Sequence, residues 1–160
     1  MRFLRIGTAG IRGKTATGLN PELAIKFASA FATYIEGGKV VIGRDSRTSS
    51  PMLYNAALSG LLSCGCRVFD AGIAPAPYIH FLVNALSADG GVIIGAGHHP
   101  ADWNAIVLLG NNGAYLNSAR TQEFLDIYHS GNYSNKKWDK IGRIEDVSEI
   151  FEDNYIQSLS

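Results

Sequence analysis

From residue 2 to about residue 96, short β-branched runs alternate with amphipathic helical stretches, and Gly, Pro or Asn marks each change of period. That alternation restricts the chain to βαβ units built on a parallel sheet. Lys39 to Gly43 (KVVIG), apolar after its lysine, and Gly91 to Ile94 (GVII) read as buried strands, covered on both faces. Asn20 is placed to cap a helix that starts at Pro21, carries Leu23, Phe27, Ala30, Phe31 and Tyr34 at helical spacing, and ends at Gly37-Gly38. Ser49 or Ser50 followed by Pro51 opens a second helix with Leu53, Ala57, Leu58, Leu61 and Leu62 inward, closed by Gly65.

Arg67 to Asp70 supplies a further strand, and the Pro75-Ala76-Pro77 turn leads into a helix ending near Leu86. Trp103 to Leu109 reads as a strand, Asn111-Asn112-Gly113 as a hairpin turn and Ala114 to Leu116 as its partner, so one margin of the sheet is expected to be antiparallel. A helix over residues 118–129 follows. The stretch GNYSNKKWDKIGRIEDV is polar and weakly patterned, and 147–159 reads as a helix whose apolar members Ile150, Tyr155 and Ile156 lack an evident packing partner. The expected architecture is an α/β domain with three α/β/α layers around a mixed, mostly parallel sheet with an antiparallel edge. Its span is 1–142, and 143–160 forms a linker and the start of a second domain.

A chain of 160 residues with 46% hydrophobic and 18% charged content supports one such domain with its own core. Fourteen basic and fourteen acidic residues cancel, which leaves no overall field to recruit nucleic acid or an anionic membrane. MRFLRIGTAG has no apolar signal region, and no stretch approaches the roughly 20 apolar residues that span a bilayer, so a cytoplasmic protein is expected. Cys64 and Cys66 are the only cysteines; C-x-C without a second pair is an incomplete zinc site, and buried thiols are the expected state.

Three stretches carry chemistry. In IGTAGIRG (6–13), Arg12 sits on a glycine-flanked loop after the first strand, suited to bidentate phosphate recognition or to a bracing salt bridge. Gly43-Arg44-Asp45-Ser46-Arg47 follows a buried strand, at the carboxyl end where open α/β sheets bind ligands; its charges either meet a ligand or pair with one another. Gly95-Ala96-Gly97-His98-His99-Pro100 follows another buried strand. Its small residues leave room for a ligand, and its imidazoles can hydrogen-bond, move protons or contribute to a metal site that lacks a third ligand nearby in sequence.

In this order, IGTAGIRG, VVIGRDSRTSSP (40–51), GCRVFDAGIAPAPYIHF (65–81) and GVIIGAGHHPADWNAIVLL (91–109) resemble the first domain of the alpha-D-phosphohexomutases, the family of phosphoglucomutase, phosphomannomutase and phosphoglucosamine mutase. The resemblance implies a sugar-phosphate mutase of four domains. A phosphoserine in a Thr-Ala-Ser-His-Asn-Pro loop exchanges phosphate with a hexose phosphate, and Mg2+ is held by that serine and by second-domain aspartates. It places Arg12 and His98, with neighbouring His99, around the phosphate. Gly97 stands at the phosphoserine position, Gly95 at that of the threonine, His99 at that of the asparagine and Val107 at that of a proton-handling lysine. The resemblance therefore implies a chain with neither nucleophile nor lysine, inactive as it stands, with the Mg2+ ligands and C-terminal domains outside it. Two alternatives stay open: phosphate capture by His98 or His99, and a noncatalytic sugar-phosphate-binding or partner-binding homologue.

Overall fold

A computed structural model describes residues 4–8, 10–149 and 152–159. Seven strands form one sheet: β1 (Leu4–Gly7), β2 (Gly10–Lys14), β3 (Lys39–Arg44), β4 (Arg67–Ile73), β5 (Gly90–Ile94), β6 (Trp103–Leu109) and β7 (Arg143–Asp146). Their spatial order is β1-β2-β6-β5-β3-β4-β7. β5, β3, β4 and β7 pair in parallel, whereas β6 joins β5 and β2 antiparallel and β1 closes the same margin antiparallel to β2. The sheet is thus mixed, with the antiparallel strands gathered at one edge.

Among the described residues, α1 (Pro21–Tyr34), α2 (Ser50–Ser63), α3 (Ala76–Ala85) and α4 (Ser118–Ser130) connect strands, and α5 (Glu152–Ser158) follows the last of them. α1 starts where the sequence places it, because Asn20 Oδ1 accepts the Leu23 amide at 2.9 Å and Pro21 needs no partner for a missing N–H. Asn117 does the same for α4 through the Arg120 amide at 2.8 Å.

The period-two alternation of the central strands sends side chains to two cores. Val40, Ile42, Val92, Ile94, Ile106 and Leu108 face α1, α2 and α4, while Val41, Ile93 and Leu109 face α3. The sheet is therefore covered on both sides, the three-layer arrangement that its unbroken apolar runs require.

Four local readings change. Gly10 to Lys14, read as loop, is strand β2, so Arg12 is held in sheet register opposite Ala105. Residues 114–116 make a single bridge, Leu109 with Tyr115, instead of a strand. Arg143–Asp146, lying in the polar stretch, adds β7 to β4 through backbone bonds that need no apolar pattern. The last helix starts later than 147, since Asp146 accepts both the amide and the hydroxyl of Ser148 in a turn. Ile150 lies outside the described residues, but Tyr155 does have partners, with ring centroids 5.0 Å from Tyr78 and 5.4 Å from Phe81.

Both thiols are buried and free. Burial, then the nearby Cys64 and Asp89, push the Cys66 thiol up to about 12 from an ordinary 9.0. A group raised on folding keeps its stabilising effect below its unfolded value and loses it as pH rises through the folded one. Native stability should therefore fall between about pH 9 and pH 12, and Cys66→Ala should flatten that slope in urea titrations followed across this window.

Candidate functional site

The site follows from strand polarity. β3 and β5 are parallel neighbours in register Arg44 to Ile94, so the loops that leave them, 45–49 and 95–102, emerge side by side. β6 runs the opposite way and begins at that end with Trp103 and Asn104, and β2 finishes there at Lys14 opposite Trp103. A cleft of about 320 Å³ opens beside β2, β5 and β6, lined also by the loop after β5, Ala76 and Tyr115.

Arg12, Gly97, His98, His99 and Val107 all line this cleft. Arg12 pairs with Ala105 on β6, and Val107 lies two residues along β6 on the same face, opposite Ile93. Arg12 is half-buried, and its guanidinium has no hydrogen bond or ion pair among the described residues. Val107 is half-buried and packs on the apolar cluster of the α3 side. His98 is exposed.

His99 is held. Its Nδ1 lies 2.7 Å from the Ala96 carbonyl and must donate to it, which leaves Nε2 as the lone-pair nitrogen of the neutral ring. The ring stands 5.7 Å from that of Trp103, over which the Arg5 guanidinium also lies, at 5.5 Å. Gly97 adopts φ +58, and an ideal Cβ on it would meet no heavy atom within 4 Å. Gly95 differs, because a Cβ there would come within 2.8 Å of the Asp45 carboxylate.

That carboxylate belongs to a network the sequence reading left unresolved. Asp45 accepts the Arg47 amide at 3.1 Å and the Ser50 hydroxyl, and it forms an ion pair with Arg47 Nε at 3.3 Å. Asn104, fully buried, donates from Nδ2 to Ser49 Oγ at 2.8 Å and Ser50 Oγ at 3.0 Å, and its Oδ1 accepts the Ala105 amide at 2.8 Å. Arg47 then reaches across to the neighbouring loop, where it binds the carbonyls of Gly97, His99, Pro100 and Trp103. Of the two readings of residues 43–47, pairing within the protein describes Arg47 and Asp45. The sequence signal was the charged run directly after a buried strand; the carbonyl partners carry no sequence signature.

The donor set does not suit a resident Mg2+. Residue 97 offers no side-chain oxygen, Asp45 is engaged as above, and Asp102 pairs with Lys14 at 3.3 Å. Among the described residues no three His, Cys, Asp or Glu side chains gather as a metal-binding group. Nor is any described helix long and apolar enough to cross a membrane.

Relatives share both the sequence and the fold. The probable phosphoglucosamine mutase of Thermococcus kodakarensis is 44% identical over 138 residues, spanning 86% of this chain and 31% of that protein. The phosphoglucomutase/phosphomannomutase of the same organism is 43% identical over 148 residues, 88% of this chain and 32% of that protein. The crystal structure of a putative phosphomannomutase from Thermus thermophilus superimposes with a TM-score of 0.82 over 98% of this chain and 35% of that one, at 23% identity, a likeness of fold. The chain thus spans about a third of the length of the relatives it matches. The pattern of the phosphoglucomutase/phosphomannomutase α/β/α domain I covers residues 4–134, and the chain belongs to that family.

Proposed function

We propose that this chain serves as the first domain of a sugar-phosphate mutase, contributing the phosphate-facing loop of its active site, and that it cannot itself carry phosphate on residue 97. The observation that supports this most strongly is the convergence of Arg12, Gly97, His98 and Val107 on one cleft at the end of the sheet. A half-buried guanidinium without a partner among the described residues, in one cleft with an exposed imidazole, suits the phosphate of a hexose phosphate, by charge and by planar hydrogen bonding. Arg12 and His98 would hold that phosphate, with His99 orienting the loop. Transfer through residue 97 requires a side-chain oxygen to form the new P–O bond, and glycine supplies none. Valine at 107 neither gives nor takes a proton.

The sugar-reading and metal-binding parts would lie in further domains of the parent protein, with Mg2+ supplied there; residues 143–160, whose first part still pairs with β4 in this sheet, would lead toward them. Two reduced thiols suit a cytoplasmic setting. A second reading of Gly97 and Val107 is a homologue that binds a sugar phosphate or a partner without transferring phosphate.

Intact mass before and after incubation with glucose 1,6-bisphosphate and Mg2+ tests the reading. No gain is expected for the wild-type chain, and Gly97→Ser should not interconvert hexose 1- and 6-phosphates, because Val107 remains. A gain of about 80 Da in the wild-type chain would place an acceptor on His98 or His99 and overturn the reading of this cleft as one that holds phosphate without taking it covalently.

A further inference from the structure

The Arg47 guanidinium makes four hydrogen bonds and one ion pair. Nη1 donates to the Pro100 carbonyl at 2.7 Å and the Trp103 carbonyl at 3.2 Å; Nη2 donates to Gly97 at 2.6 Å and His99 at 2.8 Å; Nε faces Asp45 at 3.3 Å. The side chain is 17% exposed. A guanidinium so engaged has little to spare for a phosphate, so its charge and geometry act on the loop.

The two ends of the loop are tied to the sheet, Gly95 by its amide on the Ala105 carbonyl at 3.0 Å and Asp102 by its carbonyl on the Thr15 amide at 2.7 Å and its side chain on Lys14. Between them the internal bonds are those of the His99 amide and Nδ1 to the Ala96 carbonyl at 3.1 and 2.7 Å and of the Trp103 amide to the Pro100 carbonyl at 3.0 Å, and none of these fixes the carbonyls of Gly97 and His99. Gly97, with φ +58, is conformationally permissive and meets no neighbour on its Cβ side. The carbonyls of Gly97 and His99 would face water in many orientations if nothing drew both to one point. Arg47 does so, and is itself aimed by Asp45, which the Ser50 hydroxyl and, through it, Asn104 hold in place.

We infer that Arg47 is the positioning residue of this cleft: it draws the carbonyls of residues 97–103 onto one guanidinium and thereby sets where Gly97 and His98 stand relative to Arg12. A lysine cannot replace it, since an ammonium offers three donors from a point and cannot reach four spread carbonyls and a carboxylate together. The consequence for ligand binding rests on the sugar-phosphate reading above; the ordering of the loop does not.

The test is NMR on the full chain. In the wild type, the Arg47 Nη groups should give separate, slowly exchanging signals, because rotation about the guanidinium bonds would break four hydrogen bonds at once. Averaged Nη signals would overturn the inference without any variant. In Arg47→Lys, amide exchange at His99 and Trp103 should speed up by about tenfold or more while the amides of Val41 and Val92 keep their protection. Unchanged loop protection, or equal loss throughout the sheet, would show that Arg47 does not order the loop specifically. In Arg47→Ala, guanidinium ion at millimolar concentration should restore the loop signals and methylammonium should not; equal rescue by both would leave charge alone as the cause and sink the geometric claim. Inorganic phosphate is the ligand probe. It should shift the Gly97 and His98 signals in the wild type and bind about tenfold more weakly to Arg47→Lys. If the wild type shows no response to phosphate, the sugar-phosphate reading fails, while the exchange and Nη signals still decide the role of Arg47.

Discussion

Gly10→Ala should destabilise the fold by roughly 3–5 kcal/mol, the sum of backbone strain and a steric collision that has no way out. Gly10 adopts φ +111, outside the conformations that side-chain-bearing residues ordinarily use. An ideal Cβ there would stand 2.5 Å from the Ile106 carbonyl oxygen and 2.9 Å from the Val107 Cα, both of them backbone atoms of β6. Neither can retreat without loosening the β2–β6 ladder, which holds Ile11 against Ile106 and Arg12 against Ala105. The penalty therefore falls on the strand pairing that places Arg12 at the cleft. Gly7→Ala is the control, since a Cβ at Gly7 meets nothing within 4 Å; its effect should stay within about 0.5 kcal/mol. Urea denaturation of the two variants under one set of conditions checks both, and equal midpoints would show that the β2–β6 approach is looser than the structure has it.

Phe27→Ala should cost about 3–5 kcal/mol for a different reason, the hole left by a large buried ring. Phe27 is fully buried on α1, stacked on Tyr128 with centroids 4.4 Å apart and tilted against Phe124 at 6.5 Å. It is the wedge between α1 and α4, and Phe31 extends the same aromatic seam, meeting Phe124 edge-on at 6.4 Å. This seam lies on the sheet face opposite Val107 and α3. Under conditions where the variant is still folded, the Gly97 and His98 resonances should therefore keep their wild-type positions. A stability loss with an unmoved cleft is the expected pair of results; shifted loop resonances would mean that the two faces of the sheet are coupled.

The parts legible in the sequence were those in which one residue type has one physical job. Asn20 before Pro21 capped α1 as read, and the apolar runs at β3 and β5 were central strands as read. β2 escaped because two of its five residues are glycine, and strand propensity counts glycine against a strand. Here those glycines do the opposite, since Gly10 permits the close approach to β6. β7 escaped because Arg-Ile-Glu-Asp shows almost no alternation, and all four residues are exposed; its pairing is carried by backbone. At the cleft, motif resemblance identified Arg12, Gly97, His98, His99 and Val107 as a set, and the fold brings them to one place. Arg47 was visible only as a charged loop residue. Its partners are carbonyls, which every residue has, so no pattern of side chains could announce them.

The room beside Gly97 has a practical corollary for anyone wishing to watch this molecule bind. Both native thiols are buried, and burial pushes each above its ordinary range, so neither competes for thiol-directed dyes near neutral pH. A single cysteine introduced at residue 97 would be exposed, at the mouth of the cleft, and would displace no heavy atom on entering; its one burden is a left-handed backbone conformation worth about 1–2 kcal/mol. The chain thus comes with a labelling address built into its most informative loop, at which a fluorophore would report occupancy of the cleft directly.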